Sequence, residues 1–302
     1  MAGVAGVAPS RAGLAQRWLQ GAQGLLQRAQ RYPLVGGGLL VLVVLAATLA
    51  PLMSPHAPDK IDLRIVLQPP AWMDGGNWRH LLGTDQLGRD LLSRIIYGAR
   101  VSLVVGFFAV AIAGSVGTVA AVVAGYFGGW VDAVIMRTTD AFLAMPLLMV
   151  ALVLVGVLGP DLKNIIYVLA FIYWSRYARV LRGEVLQAKT RDYVAAARVA
   201  GTGTPVILFR HIFPNVVNSL IILATLMLGV TILAEASLSF LGLGVPPPTP
   251  AWGSMLAEGR EYLDTAWWIS TFPGVAIVLT VLASNLLGDW LRLRLDPKRR
   301  QL

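Results

Sequence analysis

Cysteine is absent from the 302 residues, which excludes a disulfide framework, a thiol nucleophile and any Cys-ligated metal on this chain. Charge is also scarce: 14% of residues are Asp, Glu, Lys or Arg, against about 25% in soluble domains. So little charge cannot clothe a water-exposed surface, and lipid must cover much of this one. The three histidines, His56, His80 and His211, lie far apart in the sequence and outside its apolar runs. They therefore predict neither a His-paired metal site nor a Ser-His protease. None of the four lysines (Lys60, Lys163, Lys189, Lys298) follows a glycine, so no phosphate-cradling loop is built here. With no nucleophile and base in register, no catalytic residue and no cofactor are expected on this chain.

What the sequence has instead is apolar length. Hydrophobic residues make up 56% and the mean hydropathy is +0.67. Six apolar stretches run at about 34–52, 101–125, 141–159, 165–181, 216–241 and 269–288, most of them long enough for the roughly 17–25 residues a bilayer core demands of a helix. The first is longer than a signal-peptide core and has 33 residues before it, so it counts as a span. The fourth is the weakest, because Arg176, Arg179 and Arg182 follow its apolar part at three-residue spacing. These arginines are expected to snorkel into headgroups; a re-entrant or buried segment is the competing reading.

Placing the N-terminus inside gives cytoplasmic segments 1–33, 126–140, 182–215 with the arginines before it, and 289–302, which hold 17 basic and 6 acidic residues. The external segments hold 8 and 9. This is a positive-inside distribution, and it accounts for the net charge of +9 without nucleic acid, for which no reading motif is present.

Inside the spans, Glu235 is a lone carboxylate whose charge would cost about 2.5–3.5 kcal/mol at a helix centre. Either it lines a translocation path or it hydrogen-bonds a neighbouring helix. Asn218 and Asn285 suit helix packing, and Gly114, Gly117, Ala120, Ala121 and Ala124 give the second span a small-residue face for close approach.

The loop between the fourth and fifth spans carries more order than a connector needs. In Arg191-Asp192-Tyr193-Val194-Ala195-Ala196-Ala197-Arg198-Val199-Ala200-Gly201, Asp192 is expected as N-cap and Gly201 as the residue past the helix end. After Gly203, Thr204 and Pro205 start a second helix through Phe213, which Pro214 ends or kinks. The alanines keep the first helix slim enough to enter a partner's groove.

At these residues the chain resembles the integral-membrane subunits of ATP-binding-cassette importers, whose loop reads Glu-Ala-Ala, three residues, Gly, nine residues, Ile-x-Leu-Pro. Ala196, Ala197, Gly201 and Pro214 match, while Ala195, His211 and Phe213 replace the Glu, Ile and Leu. Further segments narrow the resemblance to the C-type permease of dipeptide and oligopeptide importers: Gly83-Thr84-Asp85-Gln86-Leu87-Gly88-Arg89-Asp90, Arg210-His211-Ile212-Phe213-Pro214-Asn215, Leu238-Ser239-Phe240-Leu241-Gly242-Leu243-Gly244 and Phe272-Pro273-Gly274. The resemblance spans about residues 30–300.

It implies an all-α integral membrane protein with six transmembrane helices and the type I importer permease fold. The implied partners are a homologous second permease, two cytoplasmic ATPases that carry ATP and Mg, and an external peptide-binding protein. The expected ATPase-coupling residues are Asp192, Tyr193, Ala195, Ala196, Ala197, Arg198, Gly201 and Gly203. An ion-gradient carrier, a scaffold subunit, or an importer of nickel complexes or longer peptides are the alternatives.

Outside, Leu87, Leu91, Leu92, Ile95 and Ile96 face away from Arg89, Asp90 and Arg94 at helical spacing, which predicts an amphipathic external helix within residues 80–100, packed over the external ends of the spans in preference to touching a delivering protein. Arg89, Asp90 and Trp252 are candidate external contacts, the last at the end of the stiff Pro246–Trp252 loop. Trp267 and Trp268 are expected to anchor the sixth span at the headgroups.

Overall fold

The structure, a computed structural model, describes residues 33–295. The expected cytoplasmic N-terminal segment up to residue 32, and residues 296–302 of the tail, lie outside the described residues. Among the described residues there is no strand, only an isolated bridge between Thr84 and Asp90.

Helix α1 spans Pro33–Thr48 and continues in one turn, Ala50–Met53. Helix α2 spans Leu91–Phe127, about 55 Å at 1.5 Å per residue. Asp90 starts it by accepting from the Ser93 backbone N–H, a cap that fixes the boundary at residue 90. The separate amphipathic helix expected within 80–100 is therefore not formed. Residues 80–90 are loop, and Leu91 onward is the first part of α2. Its apolar side packs with Trp252, Met255 and Ile269.

Helices α3 (Gly129–Ala144) and α4 (Leu147–Leu158) meet at a 91° bend. The third stretch is thus bent at a break rather than one straight helix. Pro146 is the cause: it disfavours helical backbone at the residue before it, and Met145 is extended at φ −78°, ψ 135°. Helix α5 (Leu162–Lys189) is continuous, not re-entrant, and buries Ile165, Leu169, Tyr177, Leu181 and Val185. Two of its three arginines do not snorkel. Arg179 pairs with Asp140 and Arg182 with Asp132, both on α3, while Arg176 lies 5.5 Å over the Tyr173 ring. A carboxylate within reach satisfies a guanidinium fork with fixed geometry, which a headgroup does not offer.

The remaining elements are α6 (Asp192–Val199), α7 (Thr204–Phe240, with a wide π turn at Ile207–Ile212), α8 (Trp252–Gly259) and α9 (Trp268–Leu295). Helices α2, α7 and α9 are each long and apolar enough to cross a membrane, the bent α3–α4 pair can make a fourth span, and α1 is a shorter apolar helix. All six apolar stretches are helical, an all-helical arrangement compatible with the type I permease fold.

The small-residue face of α2 seats α5. A Cβ placed on Gly117 would lie 2.5 Å from the Trp174 carbonyl oxygen, so the helices touch backbone to side chain there. Gly117→Ala is expected to destabilise the detergent-solubilised protein by about 1–3 kcal/mol, the usual cost of overpacking. Gly38→Ala, where a Cβ meets nothing within 4 Å, should be neutral or slightly stabilising through helix propensity. Thermal unfolding of the two variants checks both.

Candidate functional site

The residues expected to couple to an ATPase gather at the C-terminal end of α2. Arg191, extended at φ −73°, ψ 146°, is the N-cap of α6, so Asp192 is its first residue rather than its cap. Position 195 is then one step beyond the place a capping-box Glu requires. The C-terminal expectation holds: Gly201 sits at φ +72°, its N–H donates to the Arg198 carbonyl at 3.0 Å, and the Thr202 N–H donates to the Ala197 carbonyl at 3.0 Å. This bond pair is a Schellman closure. Gly203, not Thr204, is the N-cap of the next helical turn. Pro214 does not end that helix. The π turn, in which the Phe213 N–H donates to the Leu208 carbonyl, precedes the proline, and the backbone runs on as α7.

Only Val194 of α6 is fully buried, and Ala197 is partly covered. Tyr193, Ala195, Ala196 and Arg198 are exposed, and nearby Val199 and Phe209 are 91% and 75% exposed. The helix is nonetheless tied down on three sides. Arg198 and Lys189 lie 5.4 Å and 5.7 Å from the Tyr126 ring at the end of α2. Lys189 Nζ donates to the Tyr126 carbonyl at 2.5 Å. On α7, Asn215 Nδ2 donates to the Tyr193 hydroxyl at 3.0 Å and to the His211 carbonyl at 2.6 Å. A small apolar and basic surface is thus offered outward while its mount reaches α2, α5 and α7. Beside it, Glu184, Arg191, Asn215, Asn218, Ser219 and Arg292 line a polar cleft of about 500 Å³. Asn218 therefore faces a cleft, not the close helix contact expected for it.

Mid-helix, Glu235 is completely buried. It accepts from Ser102 Oγ of α2 at 2.9 Å and from Ser239 Oγ at 2.7 Å. Of the two readings drawn from sequence, this geometry matches the carboxylate bonded to a neighbouring helix.

At the other end of α2, the three candidate external contacts face inward. Arg89, Asp90 and Trp252 are 8%, 2% and 2% exposed, so none presents a free surface. Arg89 donates from Nε to Asp85 at 2.6 Å and from Nη2 to Glu258 at 2.7 Å. Arg94 joins the same two carboxylates, at 2.5 Å and 3.1 Å. Trp252 lies over Gly98, where a Cβ would come within 2.8 Å of its ring, and donates from Nε1 to the Ile95 carbonyl at 2.9 Å. Trp268 is also buried, donating to the Thr84 carbonyl at 3.2 Å; of the tryptophan pair, only Trp267 is exposed as a headgroup anchor would be. On the rim, Arg64 donates from Nε and Nη2 to Asp62, both at 2.9 Å, which holds that carboxyl down to about 2.

Sequence reasoning missed Asp85 and Glu258. The near balance of acids and bases in the external segments was a usable signal, since paired charges produce it. It also set the histidines apart, whereas the fold stacks His56 on His80 with ring centroids 4.6 Å apart. Twenty-odd residues of loop separate them, and loop closure is not legible in periodicity.

A set of long apolar helices, braced by buried ion pairs at one end and carrying a slim capped helix at the other, defines a polytopic membrane permease. The chain belongs to the family of inner membrane components of binding-protein-dependent transport systems, whose pattern matches residues 117–301. Residues 28–70 match the N-terminal transmembrane domain of oligopeptide transport permease C. The chain is 48% identical over 267 residues to the dipeptide transport system permease protein DppC of Escherichia coli strain K12, covering 88% of this chain and 89% of that one. It is 46% identical over 264 residues to the di/tripeptide transport system permease protein DppC of Pseudomonas aeruginosa, covering 87% of each. Against the dipeptide permease DppC of Haemophilus influenzae it is 42% identical over 274 residues, covering 91% and 93%.

Proposed function

We propose that this permease forms half of the translocation path of an ATP-driven importer of dipeptides or other short peptides. ATP hydrolysis resides on two partner ATPases, the other half of the path is a homologous permease, and an external binding protein delivers the cargo. The observation that carries this reading is α6, an exposed helix closed by Gly201 and mounted through Tyr126, Lys189 and Asn215 on three long helices. A chain without a phosphate-cradling loop must receive its work from outside, and a rigidly mounted surface at the helix ends can pass a push to the bundle. The basic residues from Arg176 to Arg210 support a cytoplasmic position for this end, and for both termini with it, under the positive-inside rule. The dipeptide cargo rests on the likeness to the dipeptide and di/tripeptide permeases of Escherichia coli, Haemophilus influenzae and Pseudomonas aeruginosa.

The test is reconstitution. Proteoliposomes containing both permeases, both ATPases and the binding protein should take up labelled dipeptide only with ATP, and this chain alone should take up none under a proton or sodium gradient. Gradient-driven uptake by the single chain would overturn the reading.

A further inference from the structure

Three donor atoms at the N-terminal end of α2 form an arrangement that transport coupling does not use. His56 follows the one-turn helix Ala50–Met53, His80 lies in the long loop, and Asp90 caps α2. The imidazoles stack with ring centroids 4.6 Å apart and planes 25° apart. Both Nδ1 atoms thereby approach Asp90 Oδ1, at 2.9 Å from His80 and 3.8 Å from His56.

The scaffold around these donors is held by other atoms. Asp90 Oδ2 accepts from the Ser93 N–H at 2.9 Å and from Ser93 Oγ at 2.6 Å. The His56 backbone N–H donates to Ser93 Oγ at 3.1 Å. Arg89 and Arg94, which could have neutralised Asp90, turn instead to Asp85 and Glu258. That leaves Asp90 Oδ1 with its charge facing two imidazoles. His56 Nδ1 is shielded from solvent and has no hydrogen-bond partner among the described residues, a condition buried polar atoms rarely keep.

We propose that His56 Nδ1, His80 Nδ1 and Asp90 Oδ1 form a binding site for a divalent cation of the zinc class, which clasps the loop between the first two spans onto α2. Two imidazoles and one carboxylate are a zinc donor set that leaves one position for water. Bonds of 2.0–2.1 Å in tetrahedral geometry place ligand atoms about 3.3 Å apart. One ligand atom from each of the three residues lies within 4.8 Å of the others, and the separations of 2.9 Å and 3.8 Å from Asp90 Oδ1 to the two Nδ1 atoms fall on either side of that spacing. To bind, the two rings turn out of their stack so that both Nδ1 lone pairs point at one centre beside Asp90 Oδ1. The side chains are 28% and 12% exposed for His56 and His80, which gives the ion an entry route and its water a position. A neutral imidazole holds the ion through Nδ1 with its proton on Nε2, so a ring that carries its proton on Nδ1 changes tautomer on binding, and only an imidazolium releases a proton to solvent. Imidazole nitrogen selects zinc, nickel or copper over magnesium and calcium, which prefer oxygen.

The experiment uses the full chain, purified with a histidine-free tag, stripped with chelator and titrated with Zn²⁺ by calorimetry and metal analysis. Background is low, because the sequence has no cysteine and only His211 besides this pair. One zinc per chain should bind, undisturbed by millimolar Mg²⁺, with an absorption-edge signature of nitrogen and oxygen ligands only. His56→Gln and His80→Gln should each weaken binding at least tenfold, and His211→Gln should leave it unchanged. Zinc should raise the melting temperature of the wild type but not of the doubly substituted chain. No saturable binding, or equal binding by the doubly substituted chain, would overturn the site. His56→Gln suffices if His80→Gln fails to fold, because His56 Nδ1 makes no hydrogen bond among the described residues.

Discussion

Gly201→Val is expected to cut ATP-dependent peptide uptake and transport-stimulated ATPase activity by about tenfold or more while leaving membrane insertion intact. The backbone at 201 sits at φ +72°, where an ordinary side chain costs about 1–2 kcal/mol and a β-branched one is more strained still. A cost of that size corresponds to about a tenfold change in the population of the closed loop. A Cβ at this position would meet nothing within 4 Å, so the penalty is conformational and not a clash. What is lost is the Schellman pair at Arg198 and Ala197, and with it the orientation of the exposed face of α6. Gly201→Asn is the matching control, since asparagine tolerates left-handed backbone and should retain most activity. Wild-type uptake by the valine variant would end the coupling assignment.

Asp85→Ala should produce the largest loss of stability, about 3–5 kcal/mol, the range for breaking a buried ion pair from one side. Its carboxylate accepts from Arg89 Nε, Arg94 Nη1 and the backbone N–H groups of Leu87 and Arg89. Removing it leaves the Arg89 and Arg94 side chains, 9% and 3% exposed, with Glu258 as their remaining carboxylate. Glu258 is itself 26% exposed and better able to be replaced by water, so Glu258→Ala should cost less. Thermal unfolding and folded yield in detergent measure both. If Asp85→Ala melted like the wild type, the ion network would not be what fastens the 80–90 loop and α8 to α2.

Glu235 shows how a sequence can pose a question it does not answer. Hydropathy alone demands that a carboxylate in an apolar run find a partner, yet Ser102 lies 133 positions away in the chain and nothing local points to it. Its two serine donors leave the carboxylate bridging α2 and α7. The arginines of α5 follow the same logic, because their partners Asp132 and Asp140 were read as part of a short inner connector. Once Pro146 breaks the third stretch, that connector becomes α3 and brings both carboxylates alongside α5.

The amino-acid sequence by itself determined the membrane class, the six apolar helical stretches, the charge asymmetry, the Gly201 terminus of α6 and the family. All of these follow from local composition, periodicity and short-range turn chemistry, which are properties of contiguous residues. Only the tertiary structure decided that Arg89, Asp90, Trp252 and Trp268 turn inward, that Arg179 and Arg182 choose carboxylates over headgroups, and that His56 meets His80 and Asp90. Those outcomes depend on which distant segments close upon one another. An amphipathic pattern specifies that a face must be covered, but its partner is selected by shape and charge across loops whose closure leaves no periodic mark.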